Sequence, residues 1–206
     1  MIAHHIILAI LWIVYGVFHS VLAATQVKQW AQHTLHIPPT YYRIIYTIFA
    51  FVSLALLVWY QLSLPIIAVF PTSRFSFFAG LLTGIPGLVL MAVCIRKYFF
   101  SLSGLRSLFV ENAKQSLEIT GIHRFVRHPL YLGTFLFIWG LFLVLPQLSL
   151  LISNAIITGY TLVGMGLEEK KLIRDFGQDY RRYQEKVPQL IPNLKTRKQP
   201  EKNPSS

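Results

Sequence analysis

The 206-residue chain is poor in charge, in acid and in cysteine. Only 13% of its residues are charged, where a soluble domain usually carries about 25%. A water-exposed globule of this length is therefore a poor fit. One cysteine, Cys94, sits in an apolar run, so an intrachain disulfide is excluded and packing is its expected use. No Lys or Arg precedes the first apolar run. Although "LAAT" imitates a cleavage site, that run reads as a retained span rather than a signal peptide. The seven histidines form no dense array of the membrane di-iron kind, and no pair lies centrally on two spans as a haem would need. His33 and His36 lie three apart without a nearby acid, so no metal is expected.

Apolar residues fill the space. They make up 54% of the chain, and mean hydropathy is +0.52. The expected fold is all-α and polytopic, with about five transmembrane helices over residues 2–24, 42–64, 75–95, 130–145 and 148–167. The last two meet at "LPQLSL", a tight turn around Pro146, and read as a hairpin. "TGIPG", residues 83–87, reads as a packing kink in the third span. A cytoplasmic helix is expected over residues 168–186, where Leu172, Phe176, Tyr180 and Tyr183 make one apolar-aromatic stripe and Pro188 ends it. Residues 1–194 read as a single domain and 195–206 as a disordered tail.

The net charge of +11 does not imply nucleic acid. Taking alternate loops, all but Arg74 of the 19 Lys and Arg residues fall on one side, together with all eight acids. That pattern places the N-terminus outside and the C-terminus in the cytoplasm, with membrane lipids as the basic side's partners.

The chemistry-bearing stretch is "GIHRFVRHPLYLGTFLFIWG", residues 121–140. Arg127 is a bidentate donor suited to a carboxylate or phosphate. His128 precedes proline and is biased away from helix. Pro129 then starts the fourth span, leaving free N–H groups over residues 129–132 that favour an anionic or acceptor-rich ligand. Tyr131 follows Arg127 by four residues, and Gly133 lets a ligand or a neighbouring backbone come close. Glu168 and Glu169, at the end of the fifth span, return beside this turn through the hairpin. A cationic group or a ribose diol suits such a carboxylate. Each of these residues also has a plainer reading as an interface anchor or a first-turn acid. Their convergence at one hairpin mouth favours a site. His19-Ser20, near the cytoplasmic end of the first span, is a costly polar pair; a helix–helix hydrogen bond and a role in the site are balanced readings of it.

"TGIHRFVRHPLYLG" and "EEKKLIRDFGQDYRRYQEKVPQLIP" resemble the paired signatures of the isoprenylcysteine carboxyl methyltransferase superfamily. "FHSVLAATQVKQW", "YYRIIYTIFA" and "FFSLSGLRSLF" resemble its NnrU and methanethiol S-methyltransferase branch. The resemblance implies a bacterial inner-membrane enzyme that binds S-adenosylmethionine at the cytoplasmic face. Carried over residue by residue, it gives His128, Pro129, Leu130, Tyr131 and Glu168 as cofactor positions, with Gln115–Glu118, including Leu117, matching more loosely. His123 stands where the signature has tyrosine, so a ring contact can survive but the hydroxyl does not. Gly164 stands where the prenylcysteine enzymes carry a substrate-binding arginine, which counts against a prenylcysteine carboxylate. The expected catalytic residues are Arg127, His128 and Glu168, with His123 and Gly133 added to the cofactor set. Glu168 would hold the cofactor's ribose or amino group, Arg127 a carboxylate, and His128 would accept a substrate proton. The expected acceptor is a small apolar thiol or a lipid-like molecule. The alternative is a non-enzymatic NnrU-type accessory or transport protein linked to nitrogen-oxide metabolism.

Overall fold

The computed structural model describes residues 2–102 and 117–192. In chain order it contains α1 (Ile2–Ala23), α2 (Thr25–Thr34), α3 (Pro39–Ser63) and α4 (Arg74–Leu102). A 3-10 turn (Gly121–Arg124) then leads to α5 (Pro129–Val144), α6 (Leu148–Phe176) and α7 (Gln178–Lys186). Helices α1, α3, α4 and α6 are long and apolar enough to cross a membrane. Helix α5 is apolar but has only 16 residues, which gives about 24 Å. Phe51, Trp59, Leu62, Phe75 and Leu82 point outward and are exposed, as lipid-facing side chains are. The molecule is an integral membrane protein. Its backbone polar groups are closed within helices because hydrocarbon offers no partners.

Helices α4 and α5 touch through glycine. A Cβ on Gly140 would lie 2.5 Å from the Gly84 nitrogen, and one on Gly87 would lie 2.5 Å from the Phe137 nitrogen. Gly80 faces the Gly140 carbonyl in the same way. Small residues let two backbones approach where lipid removes the hydrophobic drive for association. Pro86 sits inside α4, and the helix runs on through it to Leu102.

Helix α1 packs on α3 and α6 through Leu8, Trp12, Leu57 and Leu64. A polar ladder crosses this contact. Trp12 Nε1 donates to Gln61 Oε1 at 3.0 Å, and Gln61 Nε2 donates to Ser153 Oγ at 3.3 Å. The α5–α6 hairpin is pinned by Asn154 Nδ2 donating to the Ile138 carbonyl (2.7 Å) and Trp139 Nε1 donating to Thr158 Oγ1 (3.1 Å). The hairpin turn also pairs with the α3–α4 loop. Val69 N–H donates to Pro146 O at 2.7 Å, and Leu148 N–H to Ile67 O at 2.8 Å. Those two loops therefore share one face, and the Arg-His-Pro turn lies at the other.

Two elements differ from the sequence expectation. Residues 25–34, read as loop, form α2, in which Ala31 is the one buried residue. So small an apolar footprint gives little periodic signal. The expected separate helix over residues 168–186 is instead the continuation of α6, which runs unbroken through Glu168 and Glu169 to Phe176. The lipid boundary changes the solvent, not the hydrogen-bond ladder, so it ends no helix. The break comes at Gly177, whose φ of +57° turns the chain into α7.

Candidate active site

The site is assembled where the C-terminal segment folds back on the Arg-His-Pro turn. Arg127 N–H donates to Pro188 O at 2.9 Å and His128 N–H to Gln189 O at 3.1 Å. Tyr183 Oη donates to His123 O at 2.6 Å, and His123 Nδ1 lies 3.1 Å from Arg127 O. His128 is the residue before α5, at φ −121° and ψ 67°, outside the helical region, and Pro129 is the first helical residue. Proline forbids helix in the residue before it, so the His128 ring is fixed at the helix mouth.

Two adjacent glutamates divide the chemistry. Glu169 is nearly buried, with its side chain 14% exposed. Its Oε1 accepts from Arg127 Nε at 2.8 Å, and lies 3.2 Å from His128 Nε2 and 3.4 Å from Tyr180 Oη. Its Oε2 accepts from Gln184 Nε2 at 3.0 Å. Arg127 also donates through Nη1 to the carbonyls of Gln184 (3.2 Å) and Val187 (2.6 Å). Burial alone would raise the Glu169 carboxyl, but hydrogen bonds from Arg127 and His128 outweigh it and hold it below the usual carboxylate range. Burial, reinforced by the Glu169 charge, pushes the Tyr180 hydroxyl up, so it stays a donor. Burial lowers the His123 ring below the ordinary histidine range.

Glu168 is the open member, 44% exposed. Tyr131 Oη donates to its Oε2 at 3.0 Å, and His128 Nδ1 approaches the same oxygen at 3.7 Å. The His128 and Tyr131 rings stack with centroids 5.4 Å apart and planes 21° from parallel. A flat aromatic face and an outward carboxylate thus stand side by side.

A family described as "Protein of unknown function (DUF1295)" matches residues 3–187. Methanethiol S-methyltransferase 2 of Bradyrhizobium diazoefficiens is 32% identical over 193 residues, which is 89% of this chain and 71% of that protein. Methanethiol S-methyltransferase of Mycobacterium tuberculosis is 31% identical over 187 residues, 87% of this chain and 74% of that protein. Protein-S-isoprenylcysteine O-methyltransferase of Schizosaccharomyces pombe matches a shorter stretch, 33% identical over 82 residues, 39% of this chain and 35% of that protein. The chain belongs to this family of membrane methyltransferases. No solved structure matches it. The relatives' names favour an enzyme over the accessory or transport reading.

In this methyltransferase the sequence-derived residues separate into groups. Arg127, His128, Tyr131 and Glu168 converge. Buried Pro129 and partly buried Leu130 form the first turn beneath them. His123 joins through its backbone and Nδ1. Leu117 packs against Tyr180, Tyr183 and Val187, away from the ring pair. Gly133 faces α4, where a Cβ would meet the Gly87 carbonyl at 3.0 Å, so the close approach it permits is to a backbone. Gln115 lies outside the described residues. Glu169 was expected beside the turn but given no role of its own, and Tyr180 and Gln184 were absent from the expected site. Helical phase could have separated the two glutamates' roles: neighbours on a helix diverge by about 100°, so they cannot share one face.

Proposed function

We propose that this methyltransferase uses S-adenosylmethionine and methylates a small apolar thiol, with the site face in the cytoplasm of a bacterial inner membrane and the N-terminus outside. The observation that carries the reading is the exposed Glu168 carboxylate beside the stacked His128–Tyr131 rings. The donor set fits such a group. Arg127 and Glu169 neutralise each other, so the charge left at the mouth is the anionic Glu168, which suits a cation or a ribose diol. The ring pair offers a flat wall for a heterocycle. When bound, the cofactor supplies a sulfonium methyl group open to displacement by a soft nucleophile.

The chain's residues then bind, orient and exclude water, which is where methyl transfer gains most. Glu168 is the binding carboxylate and Tyr131 holds it in place. Arg127, committed to Glu169 and two carbonyls, is a positioning residue that ties the C-terminal segment to the turn. His128 sits between both carboxylates with its side chain 5% exposed, which makes it a wall rather than a base for the acceptor. The thiol reading draws on the relatives named for methanethiol and on Gly164, which itself supplies no cation for an acceptor carboxylate.

Calorimetry on detergent-purified protein tests the reading. S-adenosylmethionine is expected to bind, and Glu168→Gln to weaken it by about tenfold or more, the loss of one charge-assisted hydrogen bond. A folded wild-type protein that binds none would refute the proposal.

A further inference from the structure

A second polar cluster lies deeper in the membrane, where Tyr160 of the helix that carries Glu168 meets α1 and α3. His19 of α1 meets Tyr46 of α3, whose hydroxyl lies 3.0 and 3.1 Å from the two ring nitrogens. Tyr15 stacks on His19 at 5.9 Å, and Tyr160 of α6 approaches edge-on at 6.5 Å. Ser20 Oγ and Tyr160 Oη share a hydrogen bond of 2.9 Å. Three helices thus bring an imidazole and three phenols to one spot inside hydrocarbon. Ionisable groups at that depth are costly and are functional-site candidates, and hydrogen bonds between helices are their plainer use.

The cluster is connected to the mouth. Tyr160, Gly164 and Glu168 recur every four residues along α6, so they follow one stripe. Tyr160 stands about 12 Å from Glu168 along the helix. It also lies within electrostatic reach of Tyr131, which holds Glu168. Between them Gly164 is partly buried, yet nothing lies within 4 Å of where its Cβ would be. The stripe therefore carries rings and an imidazole at one end, an open gap in the middle, and an anionic mouth at the other.

We propose that this cluster is the acceptor subsite: Tyr15, Tyr46 and Tyr160 hold a small apolar thiol, and His19 takes its proton. The proposal rests on the methyltransferase reading above and deepens it. Sulfur is polarizable and packs well at aromatic edges, which favours a thiol over an alcohol. The imidazole is the cluster's one basic side chain, so His19 gives the thiol proton a place to go where the surrounding lipid offers none. In the proposed step the S–H bond breaks, its electron pair stays on sulfur, and the proton bonds to a His19 ring nitrogen. The proton returns to water after the thioether leaves. Over the gap at Gly164 the thiolate sulfur would form a new bond to the methyl carbon while the bond from that carbon to the sulfonium sulfur would break, its electron pair leaving with the demethylated cofactor as a neutral thioether.

Saturation-transfer NMR with ethanethiol, and ethanol as comparator, tests the subsite. S-adenosylmethionine calorimetry on the same samples serves as fold control. Ethanethiol is expected to give a signal in wild-type protein and ethanol little. Tyr46→Leu should weaken thiol binding by about tenfold, as expected for losing one sulfur–aromatic contact, with cofactor affinity unchanged. His19→Gln should keep thiol binding while kcat falls about 100-fold, as for a lost general base. An unchanged thiol signal in Tyr46→Leu, or wild-type kcat in His19→Gln, would overturn the subsite and leave the methyltransferase reading standing. Failure of wild-type protein to bind the cofactor would remove both.

Discussion

Two contacts hold this molecule in opposite ways. The α4–α5 interface is made of absences: Gly80, Gly84, Gly87, Gly133 and Gly140 let backbone meet backbone. The latch at the site face is made of side chains, with Arg127, His128, Tyr180 and Gln184 all converging on Glu169. The difference follows from the solvent. Inside hydrocarbon an apolar side chain gains nothing by leaving lipid for protein, so closeness of approach supplies the attraction. At the boundary water competes for every polar group, and only a carboxylate with several fixed donors outdoes it. At Gly80, Gly87 and Gly140 the first contact tolerates no added atom. The second tolerates no lost one.

Gly140→Leu breaks the first contact most severely. Its Cβ would lie 2.5 Å from the Gly84 nitrogen and 2.6 Å from the Gly84 Cα, which are backbone atoms that no rotamer change can move. The helices must separate, at a cost of about 3 kcal/mol or more, the upper range of overpacking. The folded fraction in a denaturing-detergent titration measures this, and near-wild-type stability would mean the interface is looser than described.

Glu169→Gln tests the latch with a smaller effect, about 2 kcal/mol, as for hydrogen bonds to a charged group. Its signature is pH. The folded Glu169 carboxyl lies below its ordinary value, so its contribution is fully present above the unfolded carboxylate range and is lost as pH falls through the lowered folded value. The difference in Tm between wild type and variant should therefore be largest near neutral pH and shrink below about pH 4. A difference that grew on acidification would contradict the latch. Glu168→Gln, at the exposed carboxylate, should leave Tm nearly unchanged.

The spans and the mouth of the site were legible in sequence, for different reasons. Long apolar runs are counted directly, so the spans and the Pro146 hairpin were plain. The Arg-His-Pro order and the paired glutamates announced the mouth of the site because ionisable residues are rare at a membrane boundary. What sequence could not give was partnership. Gly133 looks the same whether it faces a ligand or Gly87. Arg127 looks the same whether it awaits a carboxylate ligand or already holds Glu169. Tyr46 and Tyr160 were passed over because aromatic residues in apolar runs are ordinary; their meeting at His19 is a property of three helices from distant parts of the chain.

The mildest test concerns how the latch is delivered. Helix α6 carries Glu169 past the membrane, and α7 must turn back to bring Tyr180 and Gln184 onto it. Gly177 makes that turn at φ +57°, where a Cβ strains the backbone although nothing lies within 4 Å of it. Gly177→Ala should cost about 1 kcal/mol, the low end for backbone strain. Since the strain is conformational and not steric, serine at the same position should cost about as much as alanine. Asparagine, which tolerates positive φ better, should recover part of the loss. Equal losses for all three variants in Tm would point to a contact at Gly177 rather than to its backbone.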